Sequence, residues 1–402
     1  MVLHALSADL AATRSAREEL YRWFHQHPEL SGREEATSER ILRVLIDAGV
    51  KARRVGPTGV VGLIANGPGP VVAVRADIDA LPVAEASGKD YSATGPVSHA
   101  CGHDVHISSL LAACEVFQRR REAWSGTFVA VFQPAEETAS GARQMLADGL
   151  ADLIPRPDVY LGQHVLGTVP GGHVGTAAGP VLSAGASLKV TVHGRGSHGS
   201  MPEKSVDPVV LAASIVMRLQ TVVAREVLPS ATAVLTVGAL HVGTRSNVIA
   251  DRAELLLNTR AYDRDVEKHV HAAIERIVRA ECLAAASPRE PEFEWYDEYP
   301  LTSNDAATTR RVREAFDNYF GPRSGDLPPV AASEDFSVIP DALGVPYCYW
   351  GLGGFVDMAA APGNHNPAFA PDLQPTLDAG VEAIVVAASA WLDAGATPPA
   401  HW

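Results

Sequence analysis

The opening stretch of the chain places Leu6, Leu10, Leu20, Trp23 and Phe24 at spacings that suit one face of a helix. After His25-Gln26-His27-Pro28-Glu29-Leu30, a second amphipathic pattern runs to about Ala48 and stops at Gly49. Short apolar runs at 60–65 and 71–76 flank Asn66-Gly67-Pro68-Gly69-Pro70, which predicts two strands joined by a turn. Two more β-rich runs follow at 127–132 and 158–162, with helical patterns near 107–120 and 139–149. Strands alternating with helices predict an α/β fold on a largely parallel sheet.

Around residue 183 the pattern changes. Residues 187–193 (SLKVTVH) alternate like a half-buried strand, and 208–226 read as a helix. Strands at 232–240 and 252–262 surround a turn at 243–247, then come a helix at 266–283 and a strand at 292–296. Written out, this is β-α-β-β-α-β, the unit of a ferredoxin-like α+β domain. Past about residue 300 the chain returns to helix, strand and helix, ending in an amphipathic helix near 372–394. The expected organisation is a discontinuous α/β domain, 1–183 with 298–402, interrupted by an inserted domain at 184–297.

Composition narrows the function classes. Against 33 Lys+Arg stand 47 Asp+Glu, a formal charge of −14, and no basic run is long enough to track a phosphate backbone, so nucleic acid is not an expected partner. Four cysteines, none in a CxxC pair, cannot make a disulfide scaffold in 402 residues. The first twenty residues lack a cationic start followed by an apolar block, and apolar stretches such as 383–392 fall short of the ~20 residues a bilayer needs. The expectation is a cytoplasmic protein with no membrane segment.

Chemistry concentrates in His99-Ala100-Cys101-Gly102-His103-Asp104-Val105-His106. Thiolate and neutral imidazole suit zinc, nickel or cobalt, and a carboxylate adds an oxygen corner for manganese. A His-rich helix N-terminus with Cys101 as a small buried hydrophobe is the alternative. Three apolar strands also run into polar residues: Arg75-Ala76-Asp77-Ile78-Asp79, Gln133-Pro134-Ala135-Glu136-Glu137 and Gln163-His164-Val165. In parallel α/β sheets, functional groups collect beyond the carboxyl ends of strands. Adjacent carboxylates such as Glu136-Glu137 point in different directions, so one can bind a metal while the other handles a proton. Such pairs are also common on solvated surfaces. His365, in a Gly/Asn/Pro loop, reads in isolation as a surface histidine rather than a ligand, and Ser333-Glu334-Asp335-Phe336 as a helix N-cap.

Taken together, Arg75-Ala-Asp-Ile-Asp79-Ala-Leu-Pro82, His99-Ala-Cys-Gly-His-Asp104, Phe132-Gln-Pro-Ala-Glu-Glu137, Gly196-Ser-His-Gly-Ser-Met-Pro202, Ser333-Glu-Asp-Phe336 and His365-Asn-Pro-Ala-Phe369 closely resemble the dinuclear metal amidohydrolases of the aminoacylase/carboxypeptidase superfamily. Hippurate hydrolases, bacterial N-acyl-amino-acid amidohydrolases and plant auxin-conjugate hydrolases belong to this group. The resemblance spans His25 to His365. It implies two divalent ions per subunit (Zn, Mn, Co or Ni), held by Cys101, His103, Glu137, His164 and His365, with Cys101 bridging as thiolate. It further implies Glu136 as general base and acid, and Asp79 as a residue that orients a ligand. His198 of the inserted domain would polarise the scissile carbonyl, while Asn247 and Arg260 would bind the substrate carboxylate. Arg260 paired with a neighbouring acid in its strand is the alternative.

Three departures from the pattern stand out: Glu203 where a second histidine is common, Val105 where glycine is frequent, and Ala361-Pro362-Gly363-Asn364 where the segment is usually more apolar. The expected function is hydrolysis of a small-molecule N-acyl amino acid by a homodimer or higher oligomer. A dipeptidase or carboxypeptidase of the same superfamily is the nearest rival, and a non-catalytic protein holding metal for structure is the rival from another class.

Overall fold

The computed structural model describes residues 3–393; residues 1–2 and 394–402, which the expected domain and final helix also take in, lie outside the described residues. From the N-terminus come α1 (Leu3–Gln26), α2 (Glu35–Asp47), β1 (Lys51–Val55), β2 (Gly59–Asn66), β3 (Val71–Asp77) and α3 (His103–Arg119). Next are β4 (Gly126–Gln133), α4 (Gly141–Ala147), α5 (Leu150–Leu153), β5 (Val159–Pro170), β6 (Val174–Thr176) and β7 (Gly179–Leu182). The middle of the chain forms β8 (Ala184–His193), β9 (Ser197–His198), α6 (Pro208–Thr221), β10 (Ala233–Val242), β11 (Val248–Ile249), β12 (Arg252–Ala261), α7 (Arg264–Ala284) and β13 (Glu292–Tyr299). Last come β14 (Thr302–Asn304), α8 (Ala306–Phe320), β15 (Ser324–Asp326), α9 (Val338–Leu343), β16 (Tyr347–Phe355) and α10 (Leu373–Leu392).

These elements form two compact units. One runs to Val181 and resumes at Ser303–Pro329 and again from Asp335; the other is Leu182–Thr302 with Val330–Glu334. Among the described residues the first unit holds an eight-stranded sheet in the order β1-β2-β4-β3-β5-β16-β6-β15. Its centre, β4-β3-β5-β16, is parallel throughout. β2 and β3 do not pair with each other, as a simple turn between them suggested: β4 lies between, antiparallel to β2 and parallel to β3. β3 and β4 are almost entirely buried, and α3 and α10 supply buried faces to the same core.

α10 is longer than the apolar stretch read from sequence. With the 208–226 helical stretch, it is long and apolar enough to cross a bilayer by length and composition, but 78% of it is buried within the fold, where a core helix belongs. The second unit is the β-α-β-β-α-β arrangement: an antiparallel sheet ordered β10-β12-β8-β13, with α6 and α7 closing a core of Leu188, Val190, Ile215, Leu255 and Ile274. The expected helix at 208–226 changes character at Val222, where its last turn widens to a π-helix.

A buried charge cluster fastens α1 to the start of α3. His25 lies between two carboxylates, Nδ1 2.6 Å from Asp104 and Nε2 3.0 Å from Glu85, with all three side chains at most 1% exposed. Each ring nitrogen donates to a carboxylate, which requires the imidazolium. Burial pushes the imidazole pKa down, but the Asp104 and Glu85 hydrogen bonds outweigh it and raise it to about 9. A folded-state pKa above the ordinary value near 6.5 means that the stabilisation is complete below pH ~6.5 and is lost as pH rises through the folded value. Removing one partner of a buried pair costs about 3–5 kcal/mol. His25→Gln is therefore expected to lower unfolding free energy by that order at pH 6, with the deficit shrinking between pH ~6.5 and about 9 in denaturant titrations.

Candidate metal centre

The site is assembled from three strand ends and two loops of the first unit. After β3 the chain passes Asp77 and Asp79, both fully buried. After β4 it does not present Glu136-Glu137 at the strand terminus, as expected. It turns first through Ala135 (φ +49°), and the pair lies in a single 3-10 turn, Glu136–Thr138. Gly141 makes the fold-back possible, since a Cβ there would lie 1.6 Å from the Pro134 carbonyl oxygen. His164 sits within the long strand β5 rather than past its end. β3 pairs with β5 only as far as Arg75–Gly162, and beyond that β5 continues beside β16, so His164 emerges where its other neighbour has ended. Gly102, in the left-handed region (φ +82°), starts α3 and sets His103 at its first position; a Cβ there would meet Val165 at 2.4 Å.

The five expected ligands converge. Cys101 Sγ lies 3.5 Å from His164 Nε2. His103 Nε2 is 3.8 Å from Glu137 Oε1 and 3.9 Å from Glu136 Oε2, and His365 Nε2 is 3.4 Å from Glu137 Oε1. Donor atoms of Cys101, His103 and His164, and again of Cys101, Glu137 and His365, all lie within 4.8 Å of one another. His365, in the left-handed region (φ +69°), is no stray surface residue: its backbone N–H donates to the Ala100 carbonyl at 2.7 Å.

Tautomers and orphaned atoms test whether this cluster fits a metal. His103 Nδ1–H donates to the Asp79 carbonyl (2.9 Å), and His164 Nδ1–H to the Val165 carbonyl (2.8 Å). Each leaves an Nε2 lone pair directed at the cluster, as a ligating histidine requires. His103 Nε2, Glu137 Oε1 and Asp79 Oδ1 are buried with no hydrogen-bond partner. Buried acceptors left unmet are costly, and a divalent ion satisfies them with the sulfur, nitrogen and oxygen set of Cys, His and Glu. The neighbouring Cys101 sulfur and Glu137 carboxylate push the His365 imidazole up to about 10. Burial and the neighbouring His106 hold His164 well below its ordinary value.

Two supports were not assigned from sequence. Asp77, fully buried, receives a hydrogen bond from Arg75 Nη1 (2.6 Å) and one from His106 Nδ1, whose Nε2 accepts from Val165 N (2.9 Å). Burial alone would raise the Asp77 carboxyl, but its neighbours His103, Arg75 and His106 keep it well below the usual carboxylate range. Arg75 also reaches Asp335 (3.1 Å) and Gln133 (3.1 Å), and Gln133 donates to Asp335 at 2.6 Å. Asp335 is thus a buried ion-pair partner rather than a helix N-cap. Asn364, one of the departures in sequence, donates to the carbonyls of Val165 (3.1 Å) and Cys101 (3.3 Å) and so holds the His365 loop against the ligand segments. Beyond its carbonyl contact with His103, Asp79 accepts through Oδ2 from Glu137 N (3.0 Å) and Ser31 Oγ (2.7 Å).

The remaining expected residues lie in the second unit. His198, on β9, pairs with Val248 of β11, and Gly199 N donates to the Asn247 carbonyl at 2.8 Å, so His198 and Asn247 are neighbours. Ser200 N donates to His198 Nδ1 (3.2 Å), which puts the proton of the neutral ring on Nε2. Arg260, on β12 opposite Gly185, engages the Asn258 side-chain oxygen (3.1 Å) and the Ser333 hydroxyl. Those partners are neutral, unlike the acid considered from sequence. Glu203 is exposed in a short 3-10 turn.

The sequence profile of "Peptidase family M20/M25/M40" matches residues 73–390. N-acetyl-L-cysteine deacetylase of Bacillus subtilis is 34% identical over 87% of this chain and 82% of its own length. Thermostable carboxypeptidase 2 of Saccharolobus solfataricus is 34% identical over 79% of this chain and 81% of its own. The solved structure of the Bacillus subtilis YXEP protein, a dinuclear metal binding peptidase from the M20 family, overlays with a TM-score of 0.79 at 27% identity, covering 94% of this chain and 98% of that one. With a profile match across most of its length and relatives above 30% identity over about four-fifths of their chains, this protein belongs to peptidase family M20/M25/M40 and is a hydrolytic enzyme.

Proposed function

We propose that the chain hydrolyses the amide bond of N-acyl amino acids, releasing a free amino acid and a carboxylic acid. Cys101, His103, Glu137, His164 and His365 would hold two divalent ions, drawn from Zn, Mn, Co or Ni. The observation that carries this reading is the convergence of unspent buried lone pairs, His103 Nε2 and Glu137 Oε1, beside Cys101 and Glu136. The likeness to N-acetyl-L-cysteine deacetylase supports an acyl amino acid as substrate. Such ions, when bound, lower the pKa of water and polarise a carbonyl oxygen.

Glu136 takes the proton of the attacking water as its oxygen bonds to the amide carbon. It then delivers that proton to the nitrogen as the C–N bond breaks, so the amino acid leaves as a neutral amine. The Asp79 and Val165 carbonyls hold His103 and His164 in the tautomers this needs. His198, with Nε2 protonated, is suited to donate to the developing oxyanion, and Arg260 with Asn247 to hold the substrate carboxylate. In this reading the second unit serves as lid and dimer surface, and the enzyme is a cytoplasmic homodimer or higher oligomer. The carboxypeptidase relative supports a second reading, cleavage of a peptide's terminal residue, which employs the same chemistry on a different acyl group. Rates on benzoyl-, acetyl-, indoleacetyl- and long-chain acyl amino acids against free dipeptides separate the two.

Glu136→Gln should cut kcat by about 10²–10⁴-fold, the usual worth of a positioned acid–base group, while bound metal stays at the wild-type level. Near-normal turnover would exclude Glu136 as the base. Arg260→Ala should raise KM for N-acetyl amino acids by about 10–100-fold, the scale of a charge-assisted pair, and leave KM for the matching decarboxylated amides unchanged. An equal effect on both substrate classes would remove Arg260 from carboxylate binding.

A further inference from the structure

Glu34 is fully buried and stands at the N-cap position of α2, where a short polar side chain ordinarily accepts from its own helix. It makes no such bond. The cap is provided instead by Glu29, whose carboxylate accepts from Ala36 N (3.1 Å), Thr37 N (2.8 Å) and the Thr37 hydroxyl (2.8 Å). Glu34 turns towards the segment after β4: Oε1 accepts from Ala135 N (2.9 Å) and Gly32 N (2.8 Å), and Oε2 from the Thr58 hydroxyl (2.8 Å). Ala135 is the left-handed residue immediately before Glu136, a conformation that a non-glycine residue keeps only where its surroundings hold it.

On the other side of Glu136, Glu137 N donates to Asp79 Oδ2, which also receives the Ser31 hydroxyl. The backbone on both sides of Glu136 is therefore anchored, directly or through Asp79, by the segment Ser31–Glu34. That segment precedes the residues matched by the family profile, 73–390. We propose that Glu34 is a positioning residue: as an acceptor of fixed reach it holds Ala135 in the left-handed turn and so aims the Glu136 carboxylate. The proposal rests on the reading of Glu136 as the base.

What Glu34 contributes is reach and acceptor geometry, not charge, so the conservative substitutions separate. Glu34→Gln keeps an oxygen for Ala135 N and Gly32 N, and its amide can donate to a rotated Thr58 hydroxyl. Glu34→Asp keeps the charge but is one methylene too short. The expected result is that E34Q retains kcat within about 3-fold, whereas E34D loses at least 10-fold in kcat with KM changed less than 3-fold and metal content unchanged. In an E136Q background, E34D should add no further loss to the residual rate, because its route of action is already removed. Full activity in E34D, equal damage in E34Q and E34D, or loss of metal from E34D overturns the proposal. An active E136Q would instead sink the reading of Glu136 as base, whereas an inactive E136Q beside a fully active E34D sinks only the role given to Glu34.

Discussion

Negative charge buried around one imidazole is the constraint on which the catalytic unit depends. Asp77, Asp79, Glu136, Glu137 and the Cys101 thiol all close on His103 or its immediate neighbours, with little or no exposure. Carboxylates moved into a low-dielectric interior must be paired, hydrogen-bonded or bound to a cation. Protein groups meet part of this demand: Arg75 and His106 on Asp77, Ser31 and a backbone N–H on Asp79. The part left unmet, at His103 Nε2 and Glu137 Oε1, lies where the ligand set closes.

That arrangement explains why so much of the chain is committed to support. β3 and β4 are parallel neighbours, which brings Asp77 and Gln133 into register and lets Arg75 bridge them to Asp335. α3 begins on a left-handed glycine so that His103 enters at the first turn, and its neighbour Asp104 is anchored to α1 through His25. The N-terminal segment, catalytically silent by composition, supplies His25, Ser31 and Glu34 to three separate stretches of the site. Rigid supports of this kind keep donor atoms within the few tenths of an ångström that metal binding and proton transfer demand.

Much of this was legible from residue order alone. Periodicity exposed the α/β layers and the inserted βαββαβ unit, and the clustering of His, Cys and Glu marked where chemistry collects, while the five-residue ligand set came only from the family resemblance. What escaped is explained by distance and by backbone geometry. Arg75 and Asp335 are 260 residues apart, so nothing local marks them as partners, and Asp335 read as a helix cap. Glu34 stands at the start of α2 while its side chain serves another loop, a pairing that nothing local in the sequence marks. The turn at Ala135 places an alanine where propensity favours glycine, so the short helix bearing Glu136 had no sequence signal. β4 lies between β2 and β3 because antiparallel and parallel pairing satisfy its two edges, a choice that a Gly/Pro turn does not encode.

The central claim is that the buried donors around His103 are a divalent-metal centre on which hydrolysis depends. Its most direct measurement strips the protein of metal, titrates it with Mn, Zn, Co or Ni, and follows bound ion and N-acyl amino acid turnover together. The account predicts no turnover in the stripped protein and recovery that saturates at two ions per chain. Full turnover in protein whose metal content has been verified as absent would contradict it.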